Sequence, residues 1–293
     1  MTETGAATFA QRLARRAGDR PFAACAGIDP SPEAVALITT NTIGPARVTR
    51  AAAMERFAGM VIEAVRDHAP AVKLQLAWFE TAGAPGFRAL ERVLEFARRA
   101  DMLVIIDGKR GDVPHSAAAY ADAWLGERAE SGLGGDALTV NAAVGSDALT
   151  AMAEIAAARG TALYALLHTS NPGAAALQAA PLADGRPWWH LLATQLAEAD
   201  AAVGGGVVGA VIGATQPDAL RQARELLPAA PLLVPGIGAQ GGAVSDLAAL
   251  DAPAAPTTLV NSSRSLLPTE PLDTAGFRSV VAANLDAFAV SLA

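Results

Sequence analysis

The sequence predicts a closed (β/α)8 barrel, a TIM barrel with a short helix before its first strand. Three observations predict it. Short apolar runs alternate with stretches of helical spacing about eight times along the 293 residues, and eight parallel strand–helix units close such a barrel. Charged and hydroxyl residues gather just after the apolar runs, at the end where this architecture places active sites. The main glycine cluster follows the seventh run. That weighs against the alternative, an open doubly wound sheet, whose dinucleotide fingerprint would follow the first. No composition break marks a second unit, so residues 1–293 are expected as one domain.

The first helix carries Phe9 and Leu13 on one side and Gln11, Arg12, Arg15 and Arg16 on the other. Residues 21–30 read as a buried strand ending in Asp29, and 31–46 as loop. Met54, Phe57, Val61, Ile62 and Val65 recur at helical spacing within 48–67. A second strand is expected over 71–80, with Lys73, Gln75 and Ala77 on one face and Val72, Leu74 and Leu76 on the other, followed by a helix over 86–99. Val104, Ile105 and Ile106 form the third strand, and a helix is expected over 116–130. The alternation continues with strands at 137–141, 162–167, 207–214, 232–234 and 259–261. Helices are expected at 147–159, 188–201, 216–226, 245–250 and 274–292.

A net charge of −7 and an isoelectric point near 5.1 argue against sequence-independent nucleic-acid binding, which needs clustered Lys and Arg. No apolar window approaches the roughly 18 residues of a membrane span, and the N-terminus lacks a signal-type apolar core. Cys25 is the single cysteine, so no intramolecular disulfide forms and a buried, inert thiol is expected. These features predict a soluble cytoplasmic protein with neither nucleic acid nor membrane as partner.

The chemistry gathers around Asp107-Gly108-Lys109-Arg110-Gly111-Asp112. Residues two apart share a strand face, so Asp107 and Lys109 project together, and Gly111 lets Asp112 turn back toward them. Charges buried this way must pair. The same pattern also reads as a structural ion pair with Asp112 capping a helix. Lys73, inside an otherwise apolar strand, needs carboxylate partners, which Asp107 and Asp112 would supply. Arg110 is expected to face outward. Asp29 reads either as a turn residue before Pro30 or as a hydroxyl acceptor. The loop Gly236-Ile237-Gly238-Ala239-Gln240-Gly241-Gly242 offers backbone N–H groups to a phosphate, or is a plain turn. Arg264 after the last strand matches phosphate geometry, or is a solvated surface residue. His115 and His168 read as loop or helix-start residues. No spacing fits a metal site or a nucleophile–His arrangement, so no metal is expected.

Taken together, Lys73, the 107–112 core, Thr169-Ser170-Asn171-Pro172-Gly173, Pro235 to Gly242 and Arg264 resemble the orotidine 5′-phosphate decarboxylase family, most of all its longer bacterial branch (type 2). The resemblance runs from about Phe22 to Arg264. It implies cofactor-independent conversion of orotidine 5′-phosphate to uridine 5′-phosphate in pyrimidine biosynthesis. In that scheme Lys73, Asp107, Lys109 and Asp112 form an alternating charge network, and Lys109 protonates C6 as CO2 leaves. The resemblance further implies that Asp29, Lys73 and Ser116 contact the ribose. Ser170 would address the pyrimidine, and Gln240, Gly241 and Arg264 would hold the phosphate. It implies a homodimer in which Asp112 and Ser116 act across the interface. The chain departs from the family at Gly108, at Val113-Pro114-His115-Ser116, and at Asn141-Ala142-Ala143, where a Pro-Tyr is usual. Two alternatives stand beside this reading: a magnesium-dependent sugar-phosphate barrel enzyme with a similar core, and a non-catalytic phosphate-binding barrel.

Overall fold

The computed structural model describes residues 7–18, 20–38, 46–126, 132–237, 241–250 and 256–292. Its centre is a closed barrel of eight parallel strands, each paired with its sequence neighbours and the last with the first. The order is α1 (Phe9–Ala17), β1 (Phe22–Ile28), α2 (Pro32–Ala36), α3 (Arg47–Val65), β2 (Ala71–Gln75), α4 (Leu76–Thr81), α5 (Ala84–Arg99), β3 (Leu103–Arg110) and α6 (Pro114–Trp124). Then come β4 (Ala137–Val140), α7 (Ser146–Ala158), β5 (Ala162–His168), α8 (Ala174–Gln178), α9 (Trp188–Ala202), β6 (Val208–Ile212), α10 (Pro217–Leu226) and β7 (Leu232–Pro235). A 3₁₀ helix (Val244–Leu250), β8 (Thr258–Ser262), a 3₁₀ turn (Arg264–Leu266) and α11 (Thr274–Ser291) complete the chain.

The strands sort their side chains by parity. In β3, Val104 and Ile106 pack outward against the helices, whereas Leu103 and Ile105 point into the barrel. Asp107 is the next residue on the inward row, and it lines the cavity at the barrel mouth. The inward row of β2 likewise runs from Ala71 to Lys73 and Gln75, and that of β4 from Ala137 to Thr139. Each row is thus apolar below and polar at its C-terminal end.

The lower interior is filled partly from outside. Ala23, Ala71, Ala137 and Ala162 contribute little volume, and Phe9 and Leu13 of α1 insert among them. Phe9 is fully buried and meets Tyr164 edge-on at 6.0 Å. A capping box of Thr8 and Gln11 starts α1, and left-handed Gly18 ends it. Arg12 pairs with Asp136, whose other oxygen accepts from the Val104 N–H at 2.8 Å. The amphipathic N-terminal helix therefore closes the bottom of the barrel.

Some expected elements differ from the structure. The strand expected over 71–80 ends at Gln75, and α4 begins at once. Gln75 caps it, and Leu76 and Phe79 bury on one helical face. The expected loop after Asp29 contains α2, where Ser31 caps the helix and Pro32 takes its first position. The helix expected from Ser116 starts two residues earlier, again on a proline, and ends at Trp124. Residues 127–130 of that expectation lie outside the described residues. Among the described residues, no helix is long and apolar enough to cross a membrane.

Phe9→Ala is expected to cost about 3–5 kcal/mol, because it empties a fully enclosed site. Equilibrium urea unfolding measures this, and a loss below about 1 kcal/mol would show that α1 does not complete the core.

Candidate active site

Asp107 is the centre of the site. Its side chain is only 7% exposed, and Lys73 beside it is 8% exposed. Four side chains donate to its two oxygens. Lys73 Nζ reaches Oδ2 at 2.6 Å and Gln75 Nε2 reaches the same atom at 3.1 Å. Lys109 Nζ reaches Oδ1 at 2.5 Å, and Thr139 Oγ1 donates to it at 2.9 Å. The carboxylate therefore joins β2, β3 and β4 at their C-terminal ends. Burial opposes its ionisation, but the charges of Lys73 and Lys109 and their hydrogen bonds outweigh that and hold its pKa far below the ordinary carboxylate value. Burial likewise penalises the Lys73 ammonium, yet Asp107 and then Asp29 more than offset it, so its pKa is raised.

Lys109 sits in a bulge. Ile106 pairs with Leu138 and Arg110 with Val140, so residues 107–109 lie opposite Thr139 alone. Lys109 has φ +47°, a conformation that side-chain-bearing residues seldom adopt. Its N–H donates to Thr139 Oγ1 at 3.0 Å. Beyond the bulge Gly111 passes so near β4 that a Cβ would lie 2.6 Å from the Asn141 carbonyl oxygen. The Lys109 side chain is 44% exposed. One ammonium is thus part of the buried foundation and the other faces the opening.

That opening is a cavity of about 220 Å³. It is lined by Asp29, Lys73, Gln75, Asp107, Lys109 and Thr139 on the β1–β4 side, and by Pro235 to Ile237 and Asn261 to Ser265 on the β7–β8 side. Asp29 Oδ1 and Asn261 Oδ1 are buried there without a hydrogen-bond partner. β1 and the chain after β8 approach closely because residue 27 is glycine; a Cβ there would lie 1.8 Å from Ser263 Oγ. The cavity therefore holds ammonium donors, buried acceptors and, at Arg264, a guanidinium.

The structure brings Asp29, Lys73, Asp107, Lys109 and Arg264 together in this cavity. Asp112 and Ser116 are not in it. Asp112 does not turn back to Lys73; its carboxylate accepts from the Val113 N–H at 2.7 Å, and Ser116 lies in the first turn of α6. Ser170 is exposed just beyond β5. Gly241, with φ +95°, follows β7 outside the cavity lining, and Gln240 lies outside the described residues. Gln75 and Thr139 were not expected as site residues. The signal for Gln75 was its parity with Lys73, and that for Thr139 its inward position on β4. Cys25 is buried on β1, and burial pushes its thiol up to about 12, consistent with an inert role. His168 ends β5, edge-on to Trp189 at 5.9 Å.

Comparisons with known proteins agree with one another. Residues 25–273 match the model of the orotidine 5′-phosphate decarboxylase / HUMPS family. An orotidine 5′-phosphate decarboxylase of Rhodopirellula baltica is 39% identical over 268 residues, 89% of this chain and 88% of that one. One from Deinococcus radiodurans is 37% identical over 287 residues, 95% and 96% of the two chains. The solved structure of Leishmania donovani OMP decarboxylase superposes with a TM-score of 0.75 at 27% identity, covering 97% of each chain.

Asp107→Asn is expected to destabilise the fold by roughly 3–5 kcal/mol, since it leaves Lys73 buried without its carboxylate. The pH dependence has a defined sign. The lowered pKa of Asp107 makes its contribution complete above the unfolded value of 3.8 and lost as pH falls through the folded value. The raised pKa of Lys73 makes its contribution complete below 10.5 and lost as pH rises through the folded value. Urea midpoints should therefore fall more steeply below pH 3.8 in the wild type than in Asp107→Asn; parallel acid limbs would contradict the assignment.

Proposed function

The chain belongs to the orotidine 5′-phosphate decarboxylase / HUMPS family, and on that premise we propose that it converts orotidine 5′-phosphate to uridine 5′-phosphate and CO2, a carboxy-lyase step of pyrimidine biosynthesis, with Lys109 as the proton donor. One observation carries the assignment of roles: the Lys109 ammonium, held on Asp107, faces a cavity that also contains Arg264.

In the reaction the bond from C6 to the carboxylate breaks, and its electron pair stays on C6. The Lys109 ammonium stabilises that charge and gives its proton to C6 as CO2 departs. Asp107 keeps the lysine in place and lies beside the substrate carboxylate. The Lys109 ammonium lies at the open side of this cluster and Arg264 lines the same cavity, which suits an anionic substrate and a developing carbanion. Asp29 and Lys73 take the ribose hydroxyls, and the orphaned Asp29 Oδ1 supports this because a buried acceptor lacks a donor there. Arg264, with Gln240 and Gly241, takes the phosphate, and Ser170 addresses the pyrimidine. Binding energy from the phosphate end is available for the step at C6, where about 1.4 kcal/mol is worth tenfold in rate.

The working unit is a homodimer of single-domain chains in the cytoplasm, with Asp112 and Ser116 completing the neighbouring subunit's site. The outward course of Asp112 after Gly111 supports this, as does the exposed Val113 beside it.

The purified protein, with a chelator present, is expected to remove the absorbance of orotidine 5′-phosphate; no change would overturn the assignment. Lys109→Ala should lower turnover by roughly a thousandfold or more while nucleotide binding remains measurable, and near-normal turnover would exclude Lys109 as the donor. Mixing Lys109→Ala with Asp112→Ala subunits should restore activity, because each hybrid dimer regains one intact site, about one site in four overall. No recovery after demonstrated subunit exchange would refute the action of Asp112 in trans.

A further inference from the structure

Arg110 lies inside the charged core yet has no part in the mechanism above. It does not face out freely: its side chain is 23% exposed and held from several sides. Its guanidinium pairs with Glu80 of α4 and lies over the rings of Tyr120 and Trp124 of α6, at 5.7 and 5.9 Å from their centroids. Trp124 is in turn stacked on Phe87 of α5. So anchored, Arg110 Nη1 donates to the carbonyl oxygen of Gly108 at 3.2 Å.

That carbonyl belongs to the same planar peptide unit as the Lys109 N–H, which donates to Thr139 Oγ1. One peptide plane is therefore gripped at both ends, its oxygen by Arg110 and its N–H by Thr139. The orientation of this plane sets φ of Lys109, and that φ is the unfavourable +47°. Rotation of the plane would change that φ and break both hydrogen bonds that hold the bulge in shape.

We propose that Arg110 is a positioning residue for the proton donor: by clamping the Gly108 carbonyl it fixes the bulge that aims the Lys109 ammonium into the cavity. The proposal rests on the reading of Lys109 as the donor. Glu80 and the two rings serve as the anchor of the clamp.

The test is Arg110→Ala, followed by steady-state kinetics with orotidine 5′-phosphate, thermal unfolding, and amide hydrogen exchange over 105–112. The expected result is a kcat lower by roughly 10–100-fold, with KM changed by less than about threefold. Exchange at 107–110 should quicken at least about tenfold while exchange in the distant strands β6 and β7 stays unchanged. Guanidinium ion at a non-denaturing concentration should restore part of kcat. If the variant does not fold, Arg110→Lys is measured in the same way, since it keeps the charge beside Glu80 but lacks the fork that reaches both partners. A kcat within twofold of wild type, or a lower kcat with unchanged exchange at 107–110, would overturn the proposal. A wild-type protein that does not decarboxylate the nucleotide would instead overturn the reading of Lys109, and the exchange measurement would still decide whether the clamp exists.

Discussion

A single buried carboxylate makes this barrel mouth possible. Two ammoniums on one carboxylate repel each other, and the buried Lys73 also loses its hydration and alone would be expelled or neutralised. Asp107 removes both difficulties because each of its oxygens accepts from one lysine and from one neutral donor. The same four hydrogen bonds span three neighbouring strands, so the electrostatic balance of the site and the closure of the sheet there are one arrangement. A change that improves one at the expense of the other has little room, and this explains why so polar a group sits so deep in a small barrel.

The division of labour along the barrel axis follows from strand parity. The inward rows of β2, β3 and β4 begin with small or apolar residues and end in groups that donate, accept or carry charge. Alanines dominate the lower part, and the missing volume comes from α1, a segment outside the repeating strand–helix pattern. The upper part can then be polar without weakening the core, because hydrophobic burial is concentrated below it and in the shell between strands and helices. Pairing departs from regularity at this end in two places, between β5 and β6 at Leu166–His168 and at the bulge in β3, and the second carries the lysine that meets both Asp107 and the open cavity.

Much of this was legible in the sequence. The alternation of apolar runs and helical periodicity revealed the barrel, and the position of charged residues after those runs revealed which end to examine. Lys73, Asp107 and Lys109 were identifiable because charge inside an apolar strand demands partners. The remainder depends on long-range pairing. Thr139 in a short strand looks like any β-branched strand former, and only the register of β3 against β4 shows that it serves two residues at once. The positive φ of Lys109 is invisible without that register. Residues 74–79 contain no breaker, so periodicity alone could not separate β2 from α4, although Gln75 at the junction was a usable cap. Ser31-Pro32 was a stronger start signal than the loop reading allowed it to be. Gly111 in the sequence allows Asp112 to swing back toward Asp107 and Lys109, but in the structure its carboxylate accepts from the Val113 N–H and Gly111 passes close to Asn141.

The helix that seals the lower end has a bearing on traffic through the molecule. With Phe9 wedged under Tyr164, side chains fill the lower end of the barrel among the described residues, and the cavity opens at the other end. A nucleotide entering it, the gas formed within it and the shortened nucleotide left behind all cross the same threshold. A helix at the far end of the barrel from the reaction therefore bears on the route that substrate and products share.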